Sequence, residues 1–339
     1  MSIRDHTQAS PTLSVAITGS GGSGVVTAGQ MLLRAAANSG LFGLMHRSSG
    51  PQIRGGESAA MLRVGTDPVT CQDDTYDIMI AFDWLNVDRF IDEIRLTPKS
   101  LVVGDPDQGE IPASISANGA RVLAVPLKKL AKEIDRGRPN MVGLGVLADL
   151  LGLPADIMAT VVGDALTRKG EAAVAASRAC VNLGFTQAKA IRSSRALASV
   201  EDPPERWNIS GNEASGLGAL KGGIRFVAAY PITPASEILE WLAPNLEKVG
   251  GSLLQAEDEL ASINMIIGAS FGGVPSMTAT SGPGLSLMME GLGLAVTSET
   301  PVVVSNVMRG GPSTGIPTKS EQSDLNIAQI GRASCRERV

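Results

Sequence analysis

Cysteine and histidine are scarce in this chain of 339 residues. The three cysteines, Cys71, Cys180 and Cys335, lie far apart and form no CxxC pair. Their spacing excludes a disulfide framework, a structural zinc site and the cysteine motif of a ferredoxin-type iron–sulfur cluster on this chain. The two histidines, His6 and His46, are too few for a Ser/His/Asp catalytic triad.

Aromatic residues (3%) and excess positive charge are also missing, since 29 lysines and arginines stand against 34 acidic residues. Nucleic-acid-binding proteins usually carry a basic stripe and stacking aromatics, so we expect no nucleic-acid partner. No apolar signal-peptide segment follows Met1. The charge-free stretch 260–289 contains Asn264 and Pro275, which argues against a membrane span. The sequence therefore predicts a cytoplasmic protein with no membrane partner.

Strand-like runs and helical patterns alternate over residues 12–191 and indicate an α/β domain with a mainly parallel sheet covered on both faces. The predicted strands are Leu13–Gly19, Ser58–Val64, Asp77–Phe82, Leu101–Asp105 and Arg121–Pro126. The predicted helices are Val25–Asn38, Trp84–Ile94, Leu127–Asp135, Met141–Leu151 and Lys169–Asn182. The polar segment 192–206 contains a Pro-Pro pair and is predicted to be a linker.

A second unit, residues 207–329, alternates strands and helices more regularly and predicts another parallel sheet. Because the loops that follow parallel strands meet at one edge of the sheet, the turns after these strands should line one crevice. They are Tyr230–Pro234 (YPITP), Glu257–Glu259, Ser281–Gly284 (SGPG) and Met308–Gly315. Two simpler explanations stay open: the acidic residues form only the first turn of a helix, or Arg309 is a surface charge.

The segment 19–24 has the pattern GxGxxG between a predicted strand and a predicted helix. That context is typical of a dinucleotide fingerprint, in which glycines let a phosphate approach the helix N-terminus. The fingerprint also expects an acidic residue about 20 positions later, yet none occurs between Asp5 and Glu57. Either His46 and Arg47 hold a 2′-phosphate instead, or the segment is a tight strand–helix turn near an anionic ligand.

The motifs of both units, taken together, resemble one enzyme family. Those of the second unit are AAYPITPASE, QAEDELASINMIIGASFGG, TATSGPGLSLMMEGLGLAVTSETPVV and RGGPSTGIPTKSEQSDL, and they resemble the alpha subunit of 2-oxoacid:ferredoxin oxidoreductases. Those of the first unit are GSGGSGVVTAGQMLL, SGPQIRGGESAAMLRVG and RPNMVGLGVLADLLG, and they resemble the family's gamma domain, although Ser23 stands where glutamine is common. A gamma domain fused ahead of alpha is similar to the 2-oxoglutarate-type layout.

The resemblance implies two α/β domains: a gamma-type domain and a thiamine-diphosphate pyrimidine-binding-type domain with a parallel sheet, the latter incomplete. It implies oxidative decarboxylation of a 2-oxoacid with CoA, giving an acyl-CoA, CO2 and reduced ferredoxin. Thiamine diphosphate would lie between this chain and a separate beta subunit. That beta subunit would carry Mg2+ and a [4Fe-4S] cluster, and this chain would carry no metal ligands.

The resemblance also implies roles for individual residues. Glu259 matches the glutamate that bonds the pyrimidine ring and promotes the imino tautomer of the cofactor. Thr233 and Arg309 match the contacts to the substrate carboxylate. The remaining cofactor-binding positions are Tyr230, Pro231, Ser281 and Gly282. The gamma-type domain is expected near the CoA end of the site, with no residues assigned.

Two other functions stay open on the sequence. Residues 13–47 could belong to an NAD(P)-dependent Rossmann enzyme, or the chain could be a non-catalytic docking subunit or fragment. The segment 330–339 (IGRASCRERV) breaks the apolar periodicity before it and resembles the translation of a sequencing adapter. We therefore expect the natural protein to continue past about Gln329 with other residues.

Overall fold

The computed structural model describes residues 11–50, 56–191, 196–198, 200, 204, 206–312, 314, 319, 321 and 323–330. It divides into two compact units, Met1–Asn208 and Ile209–Val339. Much of the predicted linker, 192–206, and nearly all of the segment 330–339 lie outside the described residues. The linker bounds and the adapter interpretation therefore stay predictions.

A six-stranded sheet forms the centre of the first unit, in the order β2-β3-β1-β4-β5-β6. The strands are β1 (Thr12–Ser20), β2 (Phe42–Ser49), β3 (Glu57–Gly65), β4 (Ile78–Ala81), β5 (Leu101–Gly104) and β6 (Arg121–Ala124). Strands β1, β4, β5 and β6 pair in parallel, but β3 is antiparallel to both β1 and β2. The prediction of a mainly parallel sheet is thus corrected to a mixed one, because the sequence analysis missed β2.

Helices cover one face of this sheet. They are α1 (Val25–Asn38), α3 (Leu127–Lys132), α4 (Pro139–Leu151), α5 (Ala155–Leu166) and α6 (Glu171–Ile191), and a short helix, α2 (Ala113–Ser116), lies on the other face. The backbones of α4 and α6 approach so closely that a methyl group on Gly145 or Gly184 would overlap the facing backbone. This contact packs α6 against α4, in which nearly every residue is buried.

The helix predicted over Trp84–Ile94 is wrong. Only Val87–Phe90 is helical, as a single 3-10 turn. Its apolar residues, Val87, Phe90 and Ile94, are nevertheless buried against the second face of the sheet. Their spacing of three and four positions imitates a helical stripe, while the backbone between them is made of turns.

The second unit contains a four-stranded parallel sheet in the order β10-β9-β7-β8. Its strands are β7 (Phe226–Ala229), β8 (Ser252–Gln255), β9 (Ser276–Thr280) and β10 (Val303–Asn306). Its helices are α7 (Gly211–Lys221), α8 (Ser236–Leu246), α9 (Glu259–Phe271), α10 (Gly282–Thr297) and α11 (Asp324–Ile330). Helices α7 and α8 pack on one face and α9 and α10 on the other. The predicted parallel α/β unit is confirmed.

Across the described ranges, every helix is too short or too polar to cross a membrane. Within the same ranges, no three His, Cys, Asp or Glu side chains are grouped as metal ligands. Cys71 is an exposed thiol and Cys180 is buried in α6.

Candidate active site

The candidate site lies along the edge of the second sheet where its four strands end. Because the strands are parallel, the residues that follow them meet there. We call this set the carboxyl edge; it comprises residues 230–234, 256–259, 281–284 and 307–310. Every residue that the sequence analysis assigned to the site belongs to it.

Glu259 is the first residue of α9 and is only 6% exposed. Its neighbour Asp258 is the N-cap of the helix, and the Asp258 carboxylate accepts a hydrogen bond from the Ala261 N–H at 2.7 Å. Glu257 is exposed. The explanation by an acidic first turn therefore accounts for Asp258 but gives no reason for burying Glu259.

The Glu259 carboxylate makes no hydrogen bond or ion pair within the described part of the chain. It lies beside Gly284 in the first turn of α10, where an added Cβ would stand 2.6 Å from Glu259 Oε1 and would overlap Thr280 Oγ1. A glycine at this position thus leaves room for the carboxylate and the threonine hydroxyl. Burial of a carboxylate without a partner is costly, which makes Glu259 a candidate for contact with a ligand.

Arg309 follows β10 and is 7% exposed, which excludes the interpretation as a surface charge. Its Nη1 donates a hydrogen bond to the Thr233 carbonyl oxygen at 3.0 Å. The structure therefore joins the two residues that the sequence analysis assigned to the substrate carboxylate. The Thr233 side chain is exposed, and the Thr233–Pro234 peptide bond is cis.

The loop Tyr230–Pro234 is held by Asn212 of α7, a residue that the sequence analysis did not identify. Asn212 Nδ2 donates to the Pro234 carbonyl at 3.1 Å and to the Glu237 carboxylate at 3.0 Å. Tyr230 remains 40% exposed, and Pro231 is also exposed. The loop is thus fixed in place while its predicted cofactor contacts face outward.

Asp324 of α11 is a second residue that the sequence analysis missed at the carboxyl edge. Its carboxylate lies against Gly282, where an added Cβ would stand 2.7 Å from Asp324 Oδ1, and it accepts a hydrogen bond from Asn306 Nδ2 at 2.8 Å. A carboxylate is favoured at the N-terminus of α10. Beside it, the Ser281 hydroxyl is buried and has no hydrogen-bond partner in the described structure.

The structure does not support the dinucleotide interpretation of the first unit. Strand β3 separates β1 from β2, and Arg47 is in register with Ala60, which is in register with Ile17 in the middle of β1. Two strand spacings of about 4.8 Å each therefore separate His46 and Arg47 from β1. In a dinucleotide-binding fold the second strand lies next to the first and brings the group that contacts the ribose, so His46 and Arg47, one strand further away, do not occupy that position.

Two family descriptions match the chain. Residues 14–187 match the family described as "Pyruvate ferredoxin/flavodoxin oxidoreductase". Residues 217–334 match "Pyruvate flavodoxin/ferredoxin oxidoreductase, thiamine diP-bdg". The chain belongs to the pyruvate ferredoxin/flavodoxin oxidoreductase family.

Individual relatives agree with this assignment. The chain is 57% identical over 123 residues, 36% of its length and 36% of the relative's, to the 2-oxoglutarate synthase subunit KorA of Archaeoglobus fulgidus. It is 32% identical to the alpha subunit of a 2-oxoacid:ferredoxin oxidoreductase of Sulfolobus sp, over 92% of this chain and 57% of that one.

Among solved structures, the chain resembles the 2-oxoglutarate:ferredoxin oxidoreductase of Magnetococcus marinus, described with 2-oxoglutarate, coenzyme A and succinyl-CoA bound. The TM-score is 0.86 and the identity 38%, over 96% of this chain and 57% of that one. The chain thus spans little more than half the length of the relatives that match nearly all of it.

Proposed function

We propose that this chain forms part of a thiamine-diphosphate-dependent 2-oxoacid:ferredoxin oxidoreductase. The reaction would be oxidative decarboxylation of a 2-oxoacid with CoA to an acyl-CoA, CO2 and reduced ferredoxin. The observation that carries the proposal is the buried Glu259 carboxylate, which has no partner in the described chain and stands at the carboxyl edge of a parallel sheet. We favour 2-oxoglutarate as the substrate, because relatives that act on it, by name, are among the best matches.

The residues present suit thiamine diphosphate. Glu259 supplies a carboxylate with space beside it at Gly284, and the buried Ser281 hydroxyl offers a further polar contact. When bound, thiamine diphosphate supplies the carbanion-stabilising chemistry of its ylid. Glu259 would hold a proton at its carboxylate, shared with a pyrimidine nitrogen, while Tyr230 and Pro231 would cover the ring.

Arg309 would bind the carboxylate of the 2-oxoacid. A guanidinium pairs with a carboxylate through two parallel hydrogen bonds when its plane is correctly oriented. The bond to the Thr233 carbonyl orients that plane. Asn212, by fixing the loop that contains Thr233, would position Arg309 indirectly.

A beta subunit would complete the enzyme. We assign Mg2+ and the [4Fe-4S] cluster to that subunit, as the resemblance to the family implies. The cysteine spacing of this chain, which matches no cluster motif, supports the assignment of the cluster. Ferredoxin would accept the electrons from the cluster. The gamma-type first unit would serve the CoA end of the reaction.

The test is reconstitution of the full-length gene product with its beta subunit, thiamine diphosphate, Mg2+ and CoA. We expect ferredoxin reduction that depends on the 2-oxoacid, fastest with 2-oxoglutarate and slower with pyruvate or a branched 2-oxoacid. No reduction with any 2-oxoacid would contradict the proposal. A difference spectrum with NAD(P)H tests the Rossmann alternative on the same preparation.

A further inference from the structure

Thr280 ends β9 close to Glu259, and the proposed function gives its hydroxyl no role. The residue is 0% exposed, and its side chain lies on the same face of the strand as that of Thr278. The alternate residues Met277 and Ala279 belong to the core on the α7 and α8 side of the sheet, so the two threonines face α9 and α10. Of the two hydroxyls, that of Thr280 is the nearer to the carboxyl edge.

The Thr280 hydroxyl is poorly satisfied within the described part of the chain. Its one hydrogen bond there is to the Ser281 carbonyl oxygen at 3.4 Å, whereas O–H···O bonds are usually no longer than about 3.0 Å. Valine is β-branched like threonine and has no polar group to bury. A threonine that makes so weak a bond at a fully buried position therefore indicates a second acceptor for its hydroxyl.

The Glu259 carboxylate lies next to this hydroxyl. An added Cβ on Gly284 would overlap Thr280 Oγ1 and stand 2.6 Å from Glu259 Oε1, so the two oxygens border the same small space. The carboxylate makes no hydrogen bond within the described ranges, and rotation of its long side chain brings it to the hydroxyl. Because a hydroxyl hydrogen turns to suit its acceptor, the pair needs no movement of Thr280.

The two side chains differ in how firmly they are held. Thr280 ends the strand that lies between β10 and β7, and its carbonyl oxygen accepts a hydrogen bond from the Val307 N–H at 2.9 Å. Its β-branched side chain is also stiff. Glu259 has three side-chain torsions, and no hydrogen bond within the described chain fixes its carboxylate. A site residue needs neighbours that lock its rotamer, and Thr280 offers such a fixed point.

We propose that Thr280 is a positioning residue for Glu259. Its hydroxyl donates a hydrogen bond to one oxygen of the carboxylate and so turns the other oxygen toward a pyrimidine nitrogen of thiamine diphosphate. Thr280 itself forms no covalent bond and transfers no proton. This inference rests on the proposed function, which supplies the ligand that Glu259 meets.

The experiment uses the full-length gene product reconstituted with its beta subunit and Mg2+. Thr280→Val should weaken thiamine diphosphate binding, measured by calorimetry, and lower kcat, each by about tenfold, as expected for loss of a hydrogen bond to a charged group. The KM for the 2-oxoacid should stay unchanged, because that contact is assigned to Arg309. Thr280→Ser restores the hydroxyl and should stay within about threefold of the wild type on both measures.

The matched control is Thr278→Val, on the same face of the same strand. It removes a hydroxyl that is equally buried and has no hydrogen-bond partner in the described structure, and it should leave cofactor affinity and kcat at wild-type values. If Thr280→Val does not fold, the comparison of Thr280→Ser with Thr280→Ala decides, because these two variants differ only in the hydroxyl.

The outcomes separate this inference from the proposed function. A wild-type enzyme that neither binds thiamine diphosphate nor reduces ferredoxin would contradict the proposed function and this inference with it. If the wild type is active, equal effects of Thr280→Val and Thr278→Val would overturn this inference alone. So would a Thr280→Ser variant as impaired as Thr280→Val or Thr280→Ala, or a loss confined to the KM for the 2-oxoacid.

Discussion

Arg309 donates a hydrogen bond to the carbonyl oxygen of Thr233, a residue 76 positions earlier in the chain. The bond ties the turn after β10 to the loop after β7, across the end of β9 that lies between these strands. The arginine is thereby fixed by the sheet topology rather than by its own neighbours in sequence. Its chemistry and its position can therefore be tested separately.

Arg309→Lys should raise the KM for the 2-oxoacid about tenfold in the reconstituted enzyme, while the KM for CoA stays unchanged. Lysine keeps the charge but loses the planar guanidinium that binds a carboxylate bidentately. Steady-state kinetics with each substrate varied gives both values. Arg225→Lys, at the amino end of β7, is the control. If only the KM for CoA changed, Arg309 would not be the residue that binds the 2-oxoacid.

Glu259→Gln should reduce turnover by about a hundredfold or more, within the range for loss of a proton-transferring group. The amide keeps the shape of the side chain, so the melting temperature should change little. Glu257→Gln, two positions earlier and exposed, is the control and should retain near-wild-type rates. If Glu259→Gln stayed within about threefold of wild type, the role would pass to Glu257.

Gly284→Ala should destabilise the chain by about 1–3 kcal/mol, as overpacking does elsewhere. The added methyl group would overlap the Thr280 hydroxyl and press on Glu259. Gly293→Ala on the same helix meets nothing within 4 Å and should stabilise by about 0.5–1 kcal/mol. Denaturant unfolding of both variants measures the difference. Equal effects would mean that Gly284 does not make room for the carboxylate.

Asp149→Asn should stabilise the first unit in a pH-dependent way. Burial raises the pKa of Asp149, although Lys189 acts in the opposite direction. A carboxyl with a raised folded-state pKa costs stability as the pH rises through that value, and Asp149 also lies in the last turn of α4, where an anion is unfavourable.

The gain from Asn at position 149 should thus be a few tenths to about 1 kcal/mol near pH 7. It should vanish below about pH 4, where the acid is neutral in both the folded and unfolded chain. Unfolding free energies at several pH values provide the measurement. A gain that persists unchanged at pH 3 (well below about 4) would show that charge is not its cause.

The second unit was predictable because its strands are short, largely apolar runs that alternate with helices. Strand β9, for example, is buried at every position. Strand β2 was missed because it lies at the sheet edge and exposes His46 and Arg47, so it shows no apolar run. Helix α5 was also missed, although its buried residues Met158, Val161 and Val162 follow a helical period.

The sequence could predict only those site residues that lie in the turns after strands. Glu259 and Arg309 do so, and parallel pairing brings their turns to one edge. Asp324 follows no strand, and its pairing with Asn306 depends on how the chain returns after β10. Asn212 lies in a helix before the first strand of the unit. The local pattern of apolar and polar residues does not predict such long-range pairings.

The pairing of Asp324 with Asn306 and Gly282 has a consequence for synthesis on the ribosome. Chains emerge from the N-terminus and their domains fold in that order, so β7 to β10 are complete before α11 exists. Until Asp324 emerges, the first turn of α10 lacks its carboxylate and the Asn306 amide lacks its acceptor. The N-terminus of α10 therefore acquires its carboxylate only after all four strands of the sheet have been synthesised.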